Sequence, residues 1–161
     1  MKESNGFVLF FSYKDVFSNF YYSPFIHKGI QFKWSEQAVM YEKAMLFGAK
    51  DVATAILKAQ TAKECKQLGR SRRIPFKNEI WDAEKKRIYK EVLRSKFSNP
   101  KLKAALLNTK YDKFAEASPY DKIWGIGLSG DDPNATNPAE WLGQNLLCEI
   151  LTELKAEMKN D

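Results

Sequence analysis

Glu36 and Lys43 are two charged residues whose spacing suits chemistry on a sugar phosphate. A helical pattern begins at Ser35, which we expect to be the N-cap, so Glu36 falls in the first turn, where the exposed amides and the helix dipole favour negative charge. Lys43 follows on the same side, about 10.5 Å further along the axis. That distance resembles the reach from an anomeric carbon to a sugar's phosphate. The alternatives are a glutamate that only complements the dipole and a solvated lysine.

Two tryptophans each have a carboxylate nearby: Trp81 with Asp82, and Trp124 with Asp121. Flat indole rings beside carboxylates suit a planar heterocycle while positive charge develops on a sugar. Burial in the core is the alternative for either tryptophan. A turn-capping role is the alternative to catalysis for Asp121, because a Ser-Pro pair shortly before it indicates a turn.

Other chemistries lack the residues they need. His27 is the only histidine, and Cys65 and Cys148 are the only cysteines, so the sequence predicts no metal site and no serine or cysteine catalysis through an imidazole. We expect His27 in a surface loop and both thiols reduced. Carboxylates must carry any catalysis, and we expect no cofactor.

Gly125, Gly127 and Gly130 match the spacing of the dinucleotide-binding fingerprint. The segment that follows them, DDPNATNP, cannot continue as the helix on which that fingerprint depends. We therefore reject a Rossmann site. The glycines instead predict a tight turn after Trp124, or a close approach of the backbone to a ligand.

The net charge of +6 is concentrated in one segment, residues 58–77, which has seven basic residues against one acid. The rest of the chain is balanced, so the segment predicts an anionic partner, with a merely solvated basic face as the alternative. Its basic residues are Lys58, Lys63, Lys66, Arg70, Arg72, Arg73 and Lys77.

The elements that position these residues are mostly helices. Short strands and turns are expected between Gly6 and Phe32, where aromatic residues alternate between breaks. Capping and breaking signals predict helices from Ser35 to Gly48, Asp51 to Lys58, Thr61 to Gly69, Asn78 to Phe97, Lys101 to Leu107 and Asn137 to Met158, with a strand at Phe114 to Ala117.

This order of elements predicts an α+β fold, with several helices over a few short strands. At 161 residues we expect one domain covering 1–161. The sequence has neither an apolar run of the roughly 20 residues that a membrane span needs nor the layout of a secretory signal. The prediction is a cytoplasmic protein without a membrane partner.

Several blocks of the sequence resemble the YbiA-like, or NADAR, family. They are FSNFYYSPF (17–25), WSEQAVMYEKA (34–44), GRSRRIPF (69–76) with the Trp-Asp pair that follows, KF (96–97), DKIWGIG (121–127) and WLGQNLL (141–147). They occur in the family's order and span nearly the whole chain. The resemblance implies a mostly helical α+β domain that hydrolyses N-glycosidic bonds.

Carried over residue by residue, the resemblance implies two catalytic carboxylates, Glu36 and Asp121. Glu36 is the first choice to stabilise a ribosyl cation and direct water, and Asp121 would share that role or orient the sugar. The tryptophans would stack on the base, and basic residues would hold phosphate. The predicted substrate-binding residues are Lys43, Arg70, Arg73, Trp81, Asp82, Trp124, Gly125 and Asn145.

The resemblance leaves the substrate open. One branch of the family acts on phosphorylated ribosylaminopyrimidine intermediates of riboflavin synthesis, and a second removes ADP-ribose from guanine. Gln37 stands where many members have histidine, and Cys148 where glycine is frequent, which obscures the branch. We expect a small phosphorylated ribosyl substrate, with ADP-ribosylated nucleic acid touched by segment 58–77 as the alternative. A non-catalytic nucleic-acid binder is the third hypothesis, and the oligomeric state is left open.

Overall fold

The computed structural model describes residues 1–161. The chain forms two compact units: a terminal unit of residues 1–18 and 100–161, and an insert unit of residues 19–99. The expected single domain stays a prediction. In chain order the elements are β1 Lys2–Ser4, β2 Phe7–Phe10, β3 Phe25–His27, β4 Ile30–Phe32, α1 Ser35–Leu46, α2 Lys50–Leu57, α3 Ala62–Leu68, α4 Asn78–Lys96, α5 Pro100–Leu107, β5 Lys113–Glu116, a 3-10 turn Pro138–Glu140 and α6 Leu146–Met158.

The fold is the predicted α+β arrangement of several helices with a few short strands. None of the helices combines the length and the apolar content that crossing a membrane would require.

The terminal unit is built on a three-stranded sheet in the order β1-β2-β5. β1 pairs antiparallel with β2, and β2 pairs parallel with β5. All four residues of β2 are buried, which suits a strand covered on both faces. Helix α6 packs against β5, and the stripe predicted for this helix is buried as expected: Leu147, Ile150, Leu151, Leu154 and Met158.

The insert unit centres on α1, which packs against α2, α3 and α4. Ala38, Val39 and Ala44 of α1 are fully buried, and the two alanines leave room for close helix approach. Strands β3 and β4 form a hairpin beside these helices, and α4 packs on β3. The hairpin turns at Lys28 and Gly29, both with positive φ, as a two-residue turn requires.

One predicted helix start is confirmed in detail. The Thr61 hydroxyl accepts a hydrogen bond from the Glu64 N–H at 3.0 Å, and the Glu64 carboxylate accepts one from the Gln60 N–H at 2.8 Å. The first bond satisfies an amide that α3 leaves open at its start, and the second holds the residue that precedes the cap. The local capping signal therefore predicted this element correctly.

Two predicted N-caps are wrong. Ser35 and Asn78 are the first helical residues rather than the caps, and the positions before them, Trp34 and Lys77, make no side-chain capping bond. The hydroxyl of Ser35 instead donates to the side chain of Asn19, at 2.9 Å. A contact sixteen residues away has taken the place of the local cap.

The last predicted helix is also corrected, because it starts at Leu146 and not at Asn137. The chain makes a short 3-10 turn and then leaves the helical conformation. Its amides bond backwards to an earlier loop: Gly143 N–H donates to Ile126 O at 2.7 Å, and Gln144 N–H to Lys122 O at 2.8 Å. These bonds replace the helical ones between the two segments.

His27 is not in a surface loop, as the sequence suggested, but buried in β3. Its Nδ1 lies 2.7 Å from the Ser95 hydroxyl oxygen, and its Nε2 lies 3.2 Å from Oε1 of Glu42. The imidazole therefore links the hairpin to α1 and α4. No group of three or more His, Cys, Asp or Glu side chains is arranged to hold a metal ion. Both cysteines are free and buried.

Lys96, at the end of α4, is fully buried, and burial lowers its pKa to about 7. Its Nζ lies 5.2 Å from the ring centre of Phe97 and 5.7 Å from that of Tyr21. Above pH 7 the unfolded chain, with an ordinary lysine pKa, binds more protons than the folded chain. The contribution of Lys96 to the free energy of unfolding must therefore rise with pH across this range.

We expect the free energy of unfolding to gain roughly 1.5 kcal/mol from this lysine between pH 7 and pH 8.5. Denaturant titrations at the two pH values measure the gain, with Lys96→Met as the comparison. The variant should lose this increment, whatever its stability at pH 7. An equal pH dependence in both proteins would show that Lys96 keeps an ordinary pKa.

Candidate functional site

Glu36 lies in the first turn of α1 with only 6 % of its surface exposed. Its N–H donates to the backbone oxygen of Asn19 at 3.0 Å, which fixes the start of the helix. Burial, with a contribution from the charge of Glu36, raises the pKa of the Cys65 thiol to about 12. Glu36 is thus a buried carboxylate, and carboxylates are rarely buried unless they interact with a charged or polar group.

Lys43 is half-buried on the same helix, between two aromatic rings. Its Nζ lies 4.8 Å from the ring centre of Phe76 and 5.3 Å from that of Trp81. Burial lowers the pKa of Lys43, the charge of Glu36 raises it, and the charge of Arg70 lowers it. The three charged residues therefore interact within one site. This site contains the buried carboxylate of Glu36, the ammonium of Lys43 in cation–π contact with two rings, and the guanidinium of Arg70.

Trp81 and Asp82 point to different sides of α4. Trp81 is 9 % exposed and supports Lys43, whereas Asp82 is exposed and accepts a hydrogen bond from Lys85 at 2.8 Å. The structure therefore brings Trp81 to Lys43 and leaves Asp82 at the surface. A direct role of Asp82 with a substrate stays a prediction.

The two predicted phosphate-binding arginines differ in their surroundings. Both are exposed in the irregular segment after α3. Arg70 is close enough to Lys43 to influence its pKa. The guanidinium of Arg73 pairs with Asp51 of α2, and the backbone N–H of Arg73 donates to the Ser71 hydroxyl. Arg70 is the better placed of the two to bind an anion beside Lys43.

Gly69 allows α3 to approach α1 one turn after Glu36. A Cβ added at Gly69 would lie 2.1 Å from the sulfur of Met40 and 2.8 Å from its Cγ. Any larger residue would therefore displace Met40, which is the helix neighbour of Glu36 at i+4. This close approach explains the glycine at the start of the GRSRRIPF block.

Sequence reasoning missed two residues of this region, Asn19 and Phe76, and gave no structural role to Gln37. The backbone oxygen of Asn19 accepts a hydrogen bond from the N–H of Glu36, and the ring of Phe76 contacts the Lys43 ammonium. Gln37 is buried, accepts from the Lys33 N–H at 2.8 Å and donates to Ile56 O at 3.0 Å. Asn19, Phe76 and Gln37 fall inside the blocks that carry the resemblance, which was the available signal.

The other predicted site residues belong to the terminal unit. Oδ1 of Asp121 accepts hydrogen bonds from the N–H groups of Ile123, at 3.0 Å, and Trp124, at 2.9 Å. The turn-capping alternative is therefore present in the structure. Trp124 is half-buried directly after this turn. Catalytic and stacking roles for the two residues remain predictions.

Asn145 is bound at both ends of its amide by β5. Its Oδ1 accepts from the Glu116 N–H at 3.2 Å, and its Nδ2 donates to Phe114 O at 2.9 Å. Its own N–H donates to the backbone oxygen of Gly125 at 2.9 Å. Asn145 thus joins the loop of Gly125 to the sheet, and its predicted contact with substrate is untested.

Gly143 is packed against this loop with no space for a side chain. A Cβ there would lie 2.2 Å from Gly125 O and 2.8 Å from the carbonyl carbon of Ile126, and neither backbone atom can move freely. We expect Gly143→Ala to destabilise the protein by about 1–3 kcal/mol, as seen for overpacking. Thermal unfolding measures this loss.

Gly130→Ala is the matched control, because a Cβ there would meet only the Ala117 Cβ at 3.5 Å, an ordinary contact. It should unfold near the wild-type temperature. Equal stability of both variants would mean that the loop relaxes around the added methyl group.

Comparison with known proteins identifies relatives across nearly the whole chain. The sequence model of the NADAR domain family matches residues 9–159 of this chain. Protein irg-1 of Caenorhabditis elegans is 36% identical over 168 residues, which cover 94% of this chain and 79% of that protein. N-glycosidase R617 of Acanthamoeba polyphaga mimivirus is 40% identical over 124 residues, covering 76% of this chain and 72% of the relative.

A plant protein and a solved structure are also similar. The chloroplastic riboflavin biosynthesis protein PYRR of Zea mays is 28% identical over 139 residues, or 81% of this chain, but the match covers only 20% of the plant protein. The NMR structure of the E. coli protein YbiA superposes with a TM-score of 0.79 at 25% identity. That match covers 99% of this chain and 88% of YbiA.

Proposed function

Because the chain belongs to the NADAR domain family, we propose that it is an N-glycosidase, which hydrolyses the C–N bond between a ribosyl group and a base. One relative, 40% identical over most of its length, is named an N-glycosidase. The observation that carries the proposal is the buried carboxylate of Glu36 in the first turn of α1, interacting with the aromatic-supported Lys43. A carboxylate and a cation at this spacing suit a ribosyl phosphate.

In the proposed reaction the C–N bond breaks and leaves positive charge on the anomeric carbon. The Glu36 carboxylate stabilises that charge and accepts a proton from the attacking water, whose oxygen bonds to the anomeric carbon. The bonding electrons leave with the nitrogen of the base, which takes up a proton. Asp121 would help to orient the sugar and Trp124 would stack on the base, as the resemblance implies.

The substrate we propose is a phosphorylated ribosylaminopyrimidine intermediate of riboflavin synthesis, with ribose 5-phosphate as product. Support comes from the similarity to the plant riboflavin biosynthesis protein. Lys43 and Arg70 are the cations proposed to hold the phosphate, because their charges interact across one site. Trp81, whose ring supports Lys43, would then position that cation.

The test is to incubate the purified protein with ribosylaminopyrimidine phosphate and to follow the release of ribose 5-phosphate by mass spectrometry. ADP-ribosylated guanosine is supplied in a parallel reaction. Rapid release from the first substrate alone supports the proposal. Turnover of neither substrate, with the protein shown to be folded, would refute an N-glycosidase of this kind.

The second candidate is a hydrolase that removes ADP-ribose from guanine in nucleic acid. The basic segment 58–77 favours it, because six of the seven basic residues there are exposed: Lys58, Lys63, Arg70, Arg72, Arg73 and Lys77. Phosphate contacts by such residues weaken steeply with salt. The test measures activity on ADP-ribosylated oligonucleotides as the salt concentration rises from about 50 to about 200 mM, the range over which such contacts weaken. A steep fall in activity would favour this candidate.

The basic segment also allows a non-catalytic nucleic-acid binder. Plain oligonucleotides distinguish this alternative in the same salt series. Binding of unmodified strands, together with no release of sugar from any candidate substrate, would replace both enzymatic proposals.

A further inference from the structure

Asn19 is a buried polar residue beside the start of α1, with 6 % of its surface exposed. Its backbone oxygen accepts the N–H of Glu36 at 3.0 Å, and its Oδ1 accepts the Ser35 hydroxyl at 2.9 Å. Ser35 is itself fully buried. These bonds tie Asn19 to the two residues that open the helix, so its side chain is fixed next to Glu36.

The other end of this amide donates to no protein atom. Because Oδ1 faces the Ser35 hydroxyl, Nδ2 points away from it. Nδ2 is not fully enclosed by the protein, so solvent or a ligand can reach it. A primary amide that is more than nine-tenths buried normally uses its donors. An oriented and accessible N–H beside the first turn of α1, which carries Glu36, is therefore available to a ligand.

We propose that Nδ2 of Asn19 donates a hydrogen bond to the 2-hydroxyl oxygen of the ribosyl group that Glu36 acts on. This inference rests on the proposed N-glycosidase function. The 2-hydroxyl is bonded to the carbon next to the anomeric carbon, and Asn19 is the residue bonded directly to the backbone of Glu36. Hydrogen bonds to this hydroxyl strengthen in glycoside transition states. Asn19 therefore distinguishes ribosyl from 2-deoxyribosyl substrates.

The experiment compares kcat/KM for ribosylaminopyrimidine phosphate and its 2-deoxyribosyl analogue, with spontaneous hydrolysis subtracted for each. The first variant, Asn19→Leu, removes the Nδ2 donor and keeps a similar side-chain volume. The second, Ser35→Ala, removes the hydrogen bond between the Ser35 hydroxyl and Asn19 Oδ1 but keeps Nδ2. The backbone oxygen of Asn19, 3.4 Å from the Ser35 hydroxyl, remains as an acceptor in Asn19→Leu. The double variant Asn19→Leu with Ser35→Ala leaves no hydroxyl to satisfy.

In wild type and Ser35→Ala the ribosyl substrate should be preferred over its analogue by a similar ratio. In Asn19→Leu, and in the double variant, that ratio should fall about tenfold, the effect of one hydrogen bond. A loss that is equal for the two substrates in Asn19→Leu would overturn the proposal, because it would reveal a structural role alone.

Failure of the proposed function is distinguishable from failure of this inference. If the wild type turns over neither substrate, the function is refuted, and calorimetry with ribose 5-phosphate and 2-deoxyribose 5-phosphate tests Asn19 directly. The wild type should bind ribose 5-phosphate about tenfold more tightly, and Asn19→Leu should bind both alike. Equal binding of the two sugars by the wild type, or binding of neither, would overturn the assignment.

Discussion

Glu36→Gln is expected to lower kcat by about a thousandfold, the range over which a positioned carboxylate contributes to catalysis. The amide cannot supply the negative charge that stabilises a ribosyl cation, nor accept a proton from water. The affinity for ribose 5-phosphate should change by less than about threefold, because the two side chains have nearly the same shape and the lost charge acts mainly in the transition state. Steady-state kinetics and calorimetry on the same preparation separate the two effects.

Glu79→Gln is the matched control, since Glu79 is also in the first turn of its helix but is exposed. It should retain wild-type turnover. Near-normal turnover of Glu36→Gln would remove Glu36 from the chemistry and leave it as a charge that only complements the helix dipole.

Local signals predicted some features of the helices correctly. The Thr61–Glu64 pair caps α3 as its sequence predicts, and the spacing of the apolar residues in α6 gives its buried face. The start of α1 was not predictable in the same way. Asn19 supplies acceptors to Ser35 and Glu36 from an irregular segment, and no periodicity or capping rule links residues so far apart in sequence.

Within the candidate site, the helical spacing placed Glu36 and Lys43 on one side of α1, and the charge of Glu36 opposes the lowering of the Lys43 pKa by burial. The interaction of Lys43 with Trp81 depends on how α4 packs against α1, which the sequence does not specify. Phe76 was missed for the same reason. It follows a proline in a segment without regular structure, where side-chain direction has no period.

The resemblance indicated which residues belong to family blocks but did not indicate the contacts that they make. Asp121 and Asn145 stand in family blocks, yet the structure shows oxygen atoms of both side chains accepting backbone N–H groups. A residue in such a block can serve the loop that forms a site without touching the ligand. Sequence alone cannot separate these roles, because each depends on which atoms are already bonded.

Lys43→Gln is expected to raise KM for the phosphorylated substrate by about 10- to 100-fold, the contribution of one hydrogen bond to a charged group. Turnover of an unphosphorylated ribosyl analogue should change little, since it lacks the anion. Lys50→Gln, at an exposed position on α2, is the control and should leave both substrates unaffected. Equal losses on both substrates would contradict a phosphate-binding role.

The pH dependence gives a second test of Lys43. Burial and the Arg70 charge lower the pKa of this lysine, so its positive charge is lost at lower pH than that of an exposed lysine. KM for the phosphorylated substrate should therefore rise as the pH increases through that pKa. In Lys43→Arg the charge persists in alkaline solution, and the rise should disappear. An alkaline rise that survives in Lys43→Arg would assign the titration to another group and leave the phosphate without this lysine.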